Sequence, residues 1–416
     1  MYIYEKLQEQ LQKYGTTQSL MSYFTIEELT LKHRILKGNK ASGIDNVTKQ
    51  KYDANLEDNL HKLVNRLKDN SYSPRPVLRC NIPKANGKIR ALGIPSYEDK
   101  LVQKIMADIL ASIYELVFHE CSYGYRPDRN CHKALRKLNQ CISNKSTKFV
   151  IETDIKGFFD NVNHNKLIEM LQYIIKDRHF INYIKRFLKS GIVDKGKFIN
   201  SDTGTPQGGL ISPVLGNVYL HYALDNWFIE AIKPSFGNCE LIRYCDDFVI
   251  CCDSKVNANL ILNMVKQRLT DYDLQLEPNK TRVIDIDCRK FGPSNFNFLG
   301  FEVIIENSRC SLITTLNKTI QKQQVIIDMI SKFVNSYNEP LAYLISALNS
   351  VLLGLYQYYA ISTNMSWVQD VYLFTLNELH RVLCSHTRPL LSHQELYRQL
   401  LAHPLIEPPE LPLFHI

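Results

Sequence analysis

The fold is decided by the sequence Tyr244-Cys245-Asp246-Asp247, which stands between the apolar runs Leu241-Ile242 and Phe248-Val249-Ile250. Both runs are short and rich in β-branched or aromatic residues, a composition that predicts two buried strands. The two carboxylates then lie at the tight turn of a β-hairpin. Adjacent carboxylates at such a turn repel unless a cation offsets their charge, and Mg²⁺ prefers oxygen ligands of this kind. Read alone, the stretch is explained equally well as an ordinary Asp-Asp turn.

A third carboxylate and a glycine-rich segment lie upstream of this hairpin. The run Phe149-Val150-Ile151 predicts a strand that ends at Asp154. Three carboxylates from separate strands form the kind of site that binds two metal ions for nucleotidyl transfer. Between them lies Gly204-Thr205-Pro206-Gln207-Gly208-Gly209, whose glycines let backbone approach a bound strand or nucleotide closely. A structural turn explains these glycines, but it does not explain the ordered set of three motifs.

In this order, the three segments resemble the A, B and C motifs of reverse transcriptases. The longer form Asp154-Ile155-Lys156-Gly157-Phe158-Phe159-Asp160 resembles the group II intron branch in particular. Further matching segments are Ile82-Pro83-Lys84-Ala85-Asn86-Gly87-Lys88-Ile89-Arg90, Leu92-Gly93-Ile94-Pro95 and Tyr123-Gly124-Tyr125-Arg126-Pro127. Each motif alone is a weak signal, whereas the combination is specific. One departure is Cys245, where many relatives have alanine at a position that holds no metal ligand.

The resemblance implies an α+β fold of the right-hand polymerase type. Its fingers and palm surround an antiparallel sheet, and an all-helical thumb comes after them. We expect a helical extension over residues 1–45, fingers and palm over 46–312, the thumb over 313–390 and a tail over 391–416. The apolar periodicity indicates helices over 50–70, 97–118, 165–190, 212–232, 316–337, 339–361 and 366–385. It also indicates a hairpin over 81–94 that turns at Asn86-Gly87, and strands over 281–287 and 298–305.

The resemblance also implies a catalytic role for each carboxylate. Asp154, Asp246 and Asp247 are the expected catalytic residues, and they bind two Mg²⁺ ions together with the backbone carbonyl of Ile155. Mn²⁺ is an alternative ion. The implied reaction is attack of a primer 3′ hydroxyl on the α-phosphate of a deoxynucleoside triphosphate (dNTP). The competing interpretation of Asp154 is a helix N-cap or a turn residue.

Other motif positions imply contacts with nucleotide and primer. The expected nucleotide-binding residues are Lys84, Arg90, Phe159, Gln207 and Lys280. Phe159 is the expected steric gate, whose ring would clash with a 2′ hydroxyl. Lys280 is expected to neutralise or protonate the leaving pyrophosphate, with a solvated surface lysine as the competing interpretation. Phe298, Leu299 and Gly300 match the primer grip, which positions the primer 3′ end.

Composition narrows the class of protein and its location. Hydrophobic residues make up 45% and charged residues 22% of the 416 residues, as in soluble globular proteins. The net charge of +8 suits a polyanionic partner. The 11 cysteines show no C-x-x-C spacing, so no zinc or disulfide framework is expected and a reducing bacterial cytoplasm is favoured. No targeting segment is evident, and polar residues interrupt the apolar run 341–355, so no membrane partner is expected.

The biological role is predicted from the short stretch of chain beyond the thumb. Intron-encoded relatives continue into a basic DNA-binding segment and an endonuclease, whereas this chain stops soon after residue 390. We therefore expect a stand-alone enzyme that works with a partner noncoding RNA in antiphage defence. The alternative is a group II intron maturase that acts mainly in RNA binding and splicing. A third interpretation is a primer-independent nucleotidyl transferase on the same palm. The expected partners are an RNA template or structured noncoding RNA, the DNA product and dNTPs.

Overall fold

A computed structural model of the chain describes residues 2–83, 89–144, 146–206, 208–286, 294–306, 309–336, 340–384 and 390–415. These residues form two compact units. Unit 1 comprises Met1–Ala134 with Phe149–Val283, and unit 2 comprises Leu135–Lys148 with Ile284–Ile416. The predicted division into four domains stays a prediction.

Unit 1 contains most of the predicted fingers and palm. Its helices are α1 Tyr2–Tyr14, α2 Ile26–Ile35, α3 Lys49–Asp53, α4 Leu56–Lys68, α5 Tyr97–Tyr114, α6 Cys131–Ser143 (which continues into unit 2), α7 Phe158–Asn161, α8 His164–Ile174, α9 Arg178–Leu188, α10 Ser212–Leu220, α11 Lys233–Phe236 and α12 Lys255–Asp271. Its strands are β1 Val77–Pro83, β2 Ile89–Ile94, β3 Phe149–Asp154, β4 Ile192–Asp194, β5 Lys197–Ile199, β6 Cys239–Tyr244 and β7 Asp247–Cys252, and β8 Arg282–Asp285 begins in it. The helix predicted over 212–232 is confirmed as α10 and two π-helical turns, His221–Asp225 and Phe228–Ile232.

The central sheet of unit 1 has the strand order β6-β7-β3-β8. The pairs β6–β7 and β3–β7 are antiparallel, as predicted. Strand β7 is buried from Phe248 to Cys252, which matches its continuous apolar sequence. Helix α12 packs on β3 and β7 through Ala258, Ile261, Val265 and Leu269, an apolar stripe at helical spacing. The core that these elements form supports the end of the sheet where the carboxylates lie.

A second sheet of unit 1 has the order β2-β1-β4-β5. The predicted hairpin is confirmed for its strands, which pair from Leu78 with Ile94 to Pro83 with Ile89. Its predicted turn, Asn86-Gly87, lies outside the described residues. The hairpin of β4 and β5 was not predicted. It turns at Lys195 and Gly196, which both have positive φ, the backbone conformation that two-residue hairpin turns favour.

Unit 2 contains a small antiparallel sheet followed by helices. Its elements are β9 Ser294–Phe298, β10 Phe301–Glu306, β11 Arg309–Thr314, α13 Leu316–Ser336, α14 Leu341–Tyr359, α15 Met365–Leu383 and α16 His393–Ala402. The helices predicted over 316–337, 339–361 and 366–385 are confirmed. One expectation is wrong: the single strand predicted over 298–305 is the end of β9, a turn at Leu299 and Gly300, and β10. Helix α16 lies within residues 391–416 and was not predicted.

Helix α14 is long and apolar enough to cross a membrane by length and composition alone. Of its most apolar window, 39% is buried inside the protein. Core helices pass the same test, and Leu344, Leu348 and Leu352 belong to the buried core. The helix therefore gives only weak support for a membrane segment.

Candidate active site

The hairpin of β6 and β7 presents the two adjacent carboxylates. Tyr244 pairs with Asp247, so Cys245 and Asp246 form the turn between the strands. The backbone of Cys245 has a φ of 58°, a left-handed conformation that is uncommon for a residue other than glycine. Asp246 and Asp247 are partly exposed, whereas Cys245 is buried. The turn thus keeps both carboxylates within reach of solvent above a buried thiol.

The register of the sheet brings the third carboxylate to the same place. Asp154, the last residue of β3, lies directly opposite Asp247 on β7. Directly opposed residues of an antiparallel pair have Cα atoms about 4.5–5.5 Å apart and side chains on the same face. Asp154 and Asp247 therefore lie at the same end of the sheet, with Asp246 in the adjoining turn. Negative charges gathered in this way are stabilised by a positive charge nearby.

Lys280 supplies one positive charge to this cluster. Its ammonium forms an ion pair with the Asp154 carboxylate, although its side chain is 65% exposed. Burial acts to lower the pKa of Lys280, but the hydrogen bond to Asp154 and the charges of Asp154 and Asp247 outweigh it and raise the pKa above its ordinary value. Lys280 is therefore protonated at neutral pH and faces the carboxylates.

Backbone hydrogen bonds hold the Lys280 segment against the end of β3. The amide of Glu277 donates to the Asp154 carbonyl at 2.8 Å, and the amide of Lys156 donates to the Gln275 carbonyl at 2.8 Å. These two bonds flank the bridge between Ile155 and Leu276, and neither of them uses the Ile155 carbonyl. That carbonyl is a further oxygen beside the carboxylates.

A buried guanidinium supports the turn from below. Arg243, on β6, is fully buried and pairs with the carboxylate of Asp225, one of its bonds being 2.7 Å long. It also donates to Asn217 Oδ1 at 3.0 Å, to Ser122 Oγ at 2.8 Å and to the carbonyl of Cys245 at 3.1 Å. The last bond fixes the carbonyl of the strained turn residue. The rigidity of the turn therefore depends on an ion pair in the core.

The two phenylalanines after Asp154 have different surroundings, as predicted. Phe158 is 2% exposed and belongs to the core, whereas Phe159 is only partly buried. The Phe159 carbonyl accepts a 2.7 Å hydrogen bond from the amide of Thr205, which links α7 to the glycine-rich segment. Gly204 has a φ of 84°, and a Cβ there would lie 2.8 Å from the Phe159 carbonyl oxygen. Only glycine allows this close approach.

The remainder of the glycine-rich segment packs against the second sheet. Gly208 has a φ of 110°, and a Cβ there would lie 2.6 Å from the carbonyl oxygen of Gly93 on β2. The side chain of Gln103 accepts a 2.8 Å hydrogen bond from the amide of Leu210. A cavity of about 390 Å³ is lined by Phe159, Gly93 and residues 200–206. The segment therefore forms one wall of a cavity whose other wall comes from β1 and β2.

The geometry of this cluster does not test several of the predicted site residues. Lys84 and Gln207 lie outside the described residues, and of Arg90 only the backbone, paired with Ile82, is described. Phe298, Leu299 and Gly300 belong to unit 2. Their turn packs on α14, where the hydroxyl of Tyr358 donates to the Leu299 carbonyl at 2.8 Å. The roles predicted for these residues stay predictions.

Arg126, in the motif Tyr123-Gly124-Tyr125-Arg126-Pro127, has a structural environment. Its guanidinium is buried, pairs with Glu115 at 2.8 Å and donates to the carbonyls of His119 and Ser122. Sequence reasoning missed Arg243 and Asp225 altogether. The signal was available, because a charged residue within the apolar run Leu241-Ile242-Arg243 needs a buried partner. Nothing in the sequence pointed to Asp225 as that partner.

Comparisons with known proteins agree with this geometry. The profile of the family described as reverse transcriptase (RNA-dependent DNA polymerase) matches residues 82–303. The "Group II intron-encoded protein LtrA" of Lactococcus lactis subsp. cremoris is 40% identical over 202 residues, which cover 48% of this chain and 33% of the relative. "Protein YkfC" of Escherichia coli (strain K12) is 33% identical over 308 residues, 66% of this chain and 78% of the relative. "Nuclear intron maturase 1, mitochondrial" of Arabidopsis thaliana is 27% identical over 108 residues, 25% of this chain and 15% of the relative. The match thus spans about a third of the length of the Lactococcus relative.

Proposed function

This chain belongs to the reverse transcriptase family, on its group II intron-like branch, and from that premise we propose that it is an RNA-directed DNA polymerase that extends a primer 3′ end with dNTPs. The observation that carries the proposal is the register of the central sheet, which places Asp154 opposite Asp247 with Asp246 in the adjoining turn. No other cluster of three carboxylates among the described residues combines this convergence with the family's motifs.

The residues present fit a pair of divalent metal ions. The donors are three carboxylates and the Ile155 carbonyl, and hard oxygen donors of this kind suit Mg²⁺, with Mn²⁺ as an alternative. Asp154 and Asp246 would hold the ions, and Asp247 and the Ile155 carbonyl would assist. When bound, such ions supply Lewis-acid stabilisation of the attacking and leaving oxygens. The number of ions and their identity are part of the proposal.

Lys280 has two tasks in this proposal. It balances the charge of Asp154 while the carboxylates are paired with it, and it turns to the leaving pyrophosphate when substrate is in place. Its exposed side chain, on a short turn tied to the end of β3, permits such a movement without a change in the sheet. A lysine ammonium is protonated at neutral pH, so Lys280 can neutralise the leaving pyrophosphate or donate a proton to it.

Phe159 is proposed to discriminate between deoxyribose and ribose in the incoming nucleotide. Its ring is partly buried and lines the cavity between the glycine-rich segment and the strands β1 and β2. The hydrogen bond from Thr205 and the close contact of Gly204 fix its backbone, so the ring cannot retreat far. A sugar placed over this ring would find no room for a 2′ hydroxyl. Lys84, Arg90 and Gln207 are proposed to bind the nucleotide by motif position, and Phe298, Leu299 and Gly300 to position the primer.

The test is primer extension on an RNA template with the double variant Asp246→Ala, Asp247→Ala. We expect the variant to retain its fold and to lose extension entirely, because the metal-binding carboxylates of the turn are gone. Asp271→Ala is the matched control, since Asp271 is an exposed carboxylate on α12 and lies outside the cluster. Extension at the wild-type rate by the double variant would overturn the proposal. Equal loss in the control would show that the variants report folding and not chemistry.

The biological setting is a further part of the proposal. We propose a stand-alone enzyme that works with a partner noncoding RNA in antiphage defence, in the bacterial cytoplasm. The free thiols of all cysteines that the structure describes support the reducing compartment. The second candidate is an intron maturase, and the names of the Lactococcus and Arabidopsis relatives favour it. Sequencing of the RNA that copurifies with the protein separates the two, because intron RNA supports the maturase and a short structured RNA supports defence.

A further inference from the structure

Three metal-binding side chains meet at the end of the helical region of unit 2. His380 and Cys384 lie one helical turn apart at the end of α15, and His393 is the first residue of α16. One nitrogen of each histidine and the sulfur of Cys384 all lie within 4.8 Å of one another. Both histidines are exposed, whereas Cys384 is 7% exposed. The cluster is therefore open to solvent on the side of the histidines and closed on the side of the thiol.

Backbone contacts bring these three residues together independently of their side chains. The amides of Leu390 and Leu391 both donate to the carbonyl of Leu383, at 2.9 and 3.0 Å. Ser392 then caps α16, with its hydroxyl accepting a 3.1 Å hydrogen bond from the amide of Glu395. The chain thus returns to the end of α15 before the next helix begins. This return places His393 directly beside His380.

The two imidazoles are held in a close, nearly parallel arrangement. Their ring centroids are 4.5 Å apart with an interplanar angle of 25°, and His380 Nε2 lies 2.6 Å from His393 Nδ1. A hydrogen bond between two neutral rings accounts for this pair. This hydrogen bond does not explain why the buried thiol of Cys384 lies beside the two imidazoles. Two imidazole nitrogens with one thiolate form a donor set that suits Zn²⁺.

We propose that His380, Cys384 and His393 form a zinc-binding site that joins α15 to α16. With bonds of about 2.0–2.1 Å to nitrogen and 2.3 Å to sulfur, the nitrogen and sulfur ligands of a tetrahedral zinc ion lie about 3.3–3.6 Å apart. The two histidine nitrogens, which are 2.6 Å apart, reach this spacing when the exposed rings separate by about 1 Å. The three side chains leave a fourth position, which solvent can fill from the exposed side.

The site differs in chemistry from the carboxylate cluster of unit 1. A thiolate and imidazoles select a borderline transition metal, whereas carboxylates select a hard ion such as Mg²⁺. The zinc ion would join the end of α15 to the start of α16, and this link is its proposed role. An ion bound here closes the loop between the two helices, and it stabilises only the folded chain. The proposal does not depend on the polymerase assignment, and a protein without polymerase activity would show the same site.

The test uses the full chain, freed of metal with a chelator and then titrated with Zn²⁺ or Co²⁺ under reducing conditions. We expect one zinc ion per chain by elemental analysis, and a rise in the melting temperature on zinc addition. We also expect Co²⁺ to produce a thiolate-to-cobalt charge-transfer absorption, which zinc then abolishes. This absorption requires a cysteine ligand, so it excludes binding at the carboxylates.

Variants identify the ligands. Cys384→Ser is expected to lose the cobalt absorption and the melting-temperature rise, and His393→Ala is expected to lower the bound zinc several-fold. The matched controls are Cys310→Ser, a thiol on β11 of the same unit, and His403→Ala, which lies just beyond α16. Both are expected to behave as the wild type does. Wild-type protein with neither bound zinc nor a melting-temperature rise would overturn the proposal, and so would a Cys384→Ser protein that keeps the cobalt absorption. The wild-type measurements decide the matter even if a variant fails to fold.

Discussion

Replacing Asp225 by Asn would leave the buried guanidinium of Arg243 without its counter-ion. The two side chains are both fully buried. Burial acts to lower the pKa of Arg243, but the charge of Asp225 outweighs it and raises the pKa above the ordinary value. The guanidinium stays charged when its partner is neutralised, because the ordinary arginine pKa already lies far above neutral pH. An unpaired charge in this position cannot be hydrated without opening the core.

The loss of unfolding free energy in Asp225→Asn is set by the cost of breaking a buried ion pair. Removal of one partner typically costs about 3–5 kcal/mol, because the other charge stays buried and uncompensated. For domains of this size, 1 kcal/mol shifts the melting temperature by about 2–4 °C, so Asp225→Asn is expected to lower it by about 6–20 °C. Arg243 also donates to the Cys245 carbonyl, so the variant is expected to lose primer extension below its melting temperature as well. Denaturant titration and thermal unfolding measure the first effect, and single-turnover extension measures the second.

The double variant Asp225→Asn, Arg243→Met separates charge from packing. It removes both charges and keeps a side chain of similar volume at position 243, so it is expected to be less destabilised than Asp225→Asn alone. Its extension activity is expected to stay low, because methionine at position 243 cannot donate the hydrogen bond to the Cys245 carbonyl. If the single and the double variant lose the same free energy of unfolding, the reasoning from an uncompensated buried charge is wrong.

Three further predictions concern the site and the core. Replacing Lys280 by Met is expected to lower the kcat of extension about 10²–10⁴-fold through loss of the proton donor, and a wild-type kcat in steady-state assays contradicts that role. Replacing Phe159 by Val is expected to let the enzyme use ribonucleotides. The control is Phe198→Ala, at an exposed phenylalanine. An unchanged ratio of dNTP to ribonucleotide use in the Phe159 variant would contradict the gate role. Burial raises the folded-state pKa of Asp99 to about 6, so the folded chain binds a proton more readily than the unfolded chain. As the pH falls from 7 to about 4, the wild type should therefore gain roughly 3 kcal/mol of unfolding free energy relative to Asp99→Asn, and parallel pH profiles in denaturant titrations would contradict this.

Local sequence was sufficient to predict those elements whose residue pattern is compatible with only one secondary structure. The apolar runs around Asp246 and Asp247 predicted the hairpin, because short β-branched segments separated by two polar residues pair with each other. Helices α13, α14 and α15 of unit 2 were predicted from their apolar periodicity. The gate role of Phe159 was implied by the resemblance and stays a prediction.

Features that depend on distant partners were not predictable in the same way. Asp225 pairs with Arg243 across 18 residues, and a π-helical segment carries it, so helical spacing gives no indication of where its side chain points. The short strands β4 and β5 carry little apolar signal, since they have three residues each and β5 is exposed. Helix α16 has a Ser cap, but the Pro-rich residues after it favoured an extended tail. In each case the deciding contact is absent from the local pattern.

The core and the candidate site share one determinant, the register of β3 against β7. Thr153 lies opposite Phe248, and its hydroxyl donates to the Phe248 carbonyl at 2.6 Å inside the sheet. A slip of one residue would turn every side chain of β3 to the other face and carry Asp154 to the face that Ile151 and Thr153 now occupy. The burial of Ile151 and Thr153, together with the hydrogen bond of Thr153, therefore favours the register in which Asp154 pairs with Asp247. The same hydrophobic pattern that stabilises the sheet assembles the carboxylates, which is why the deciding stretch of sequence predicts both.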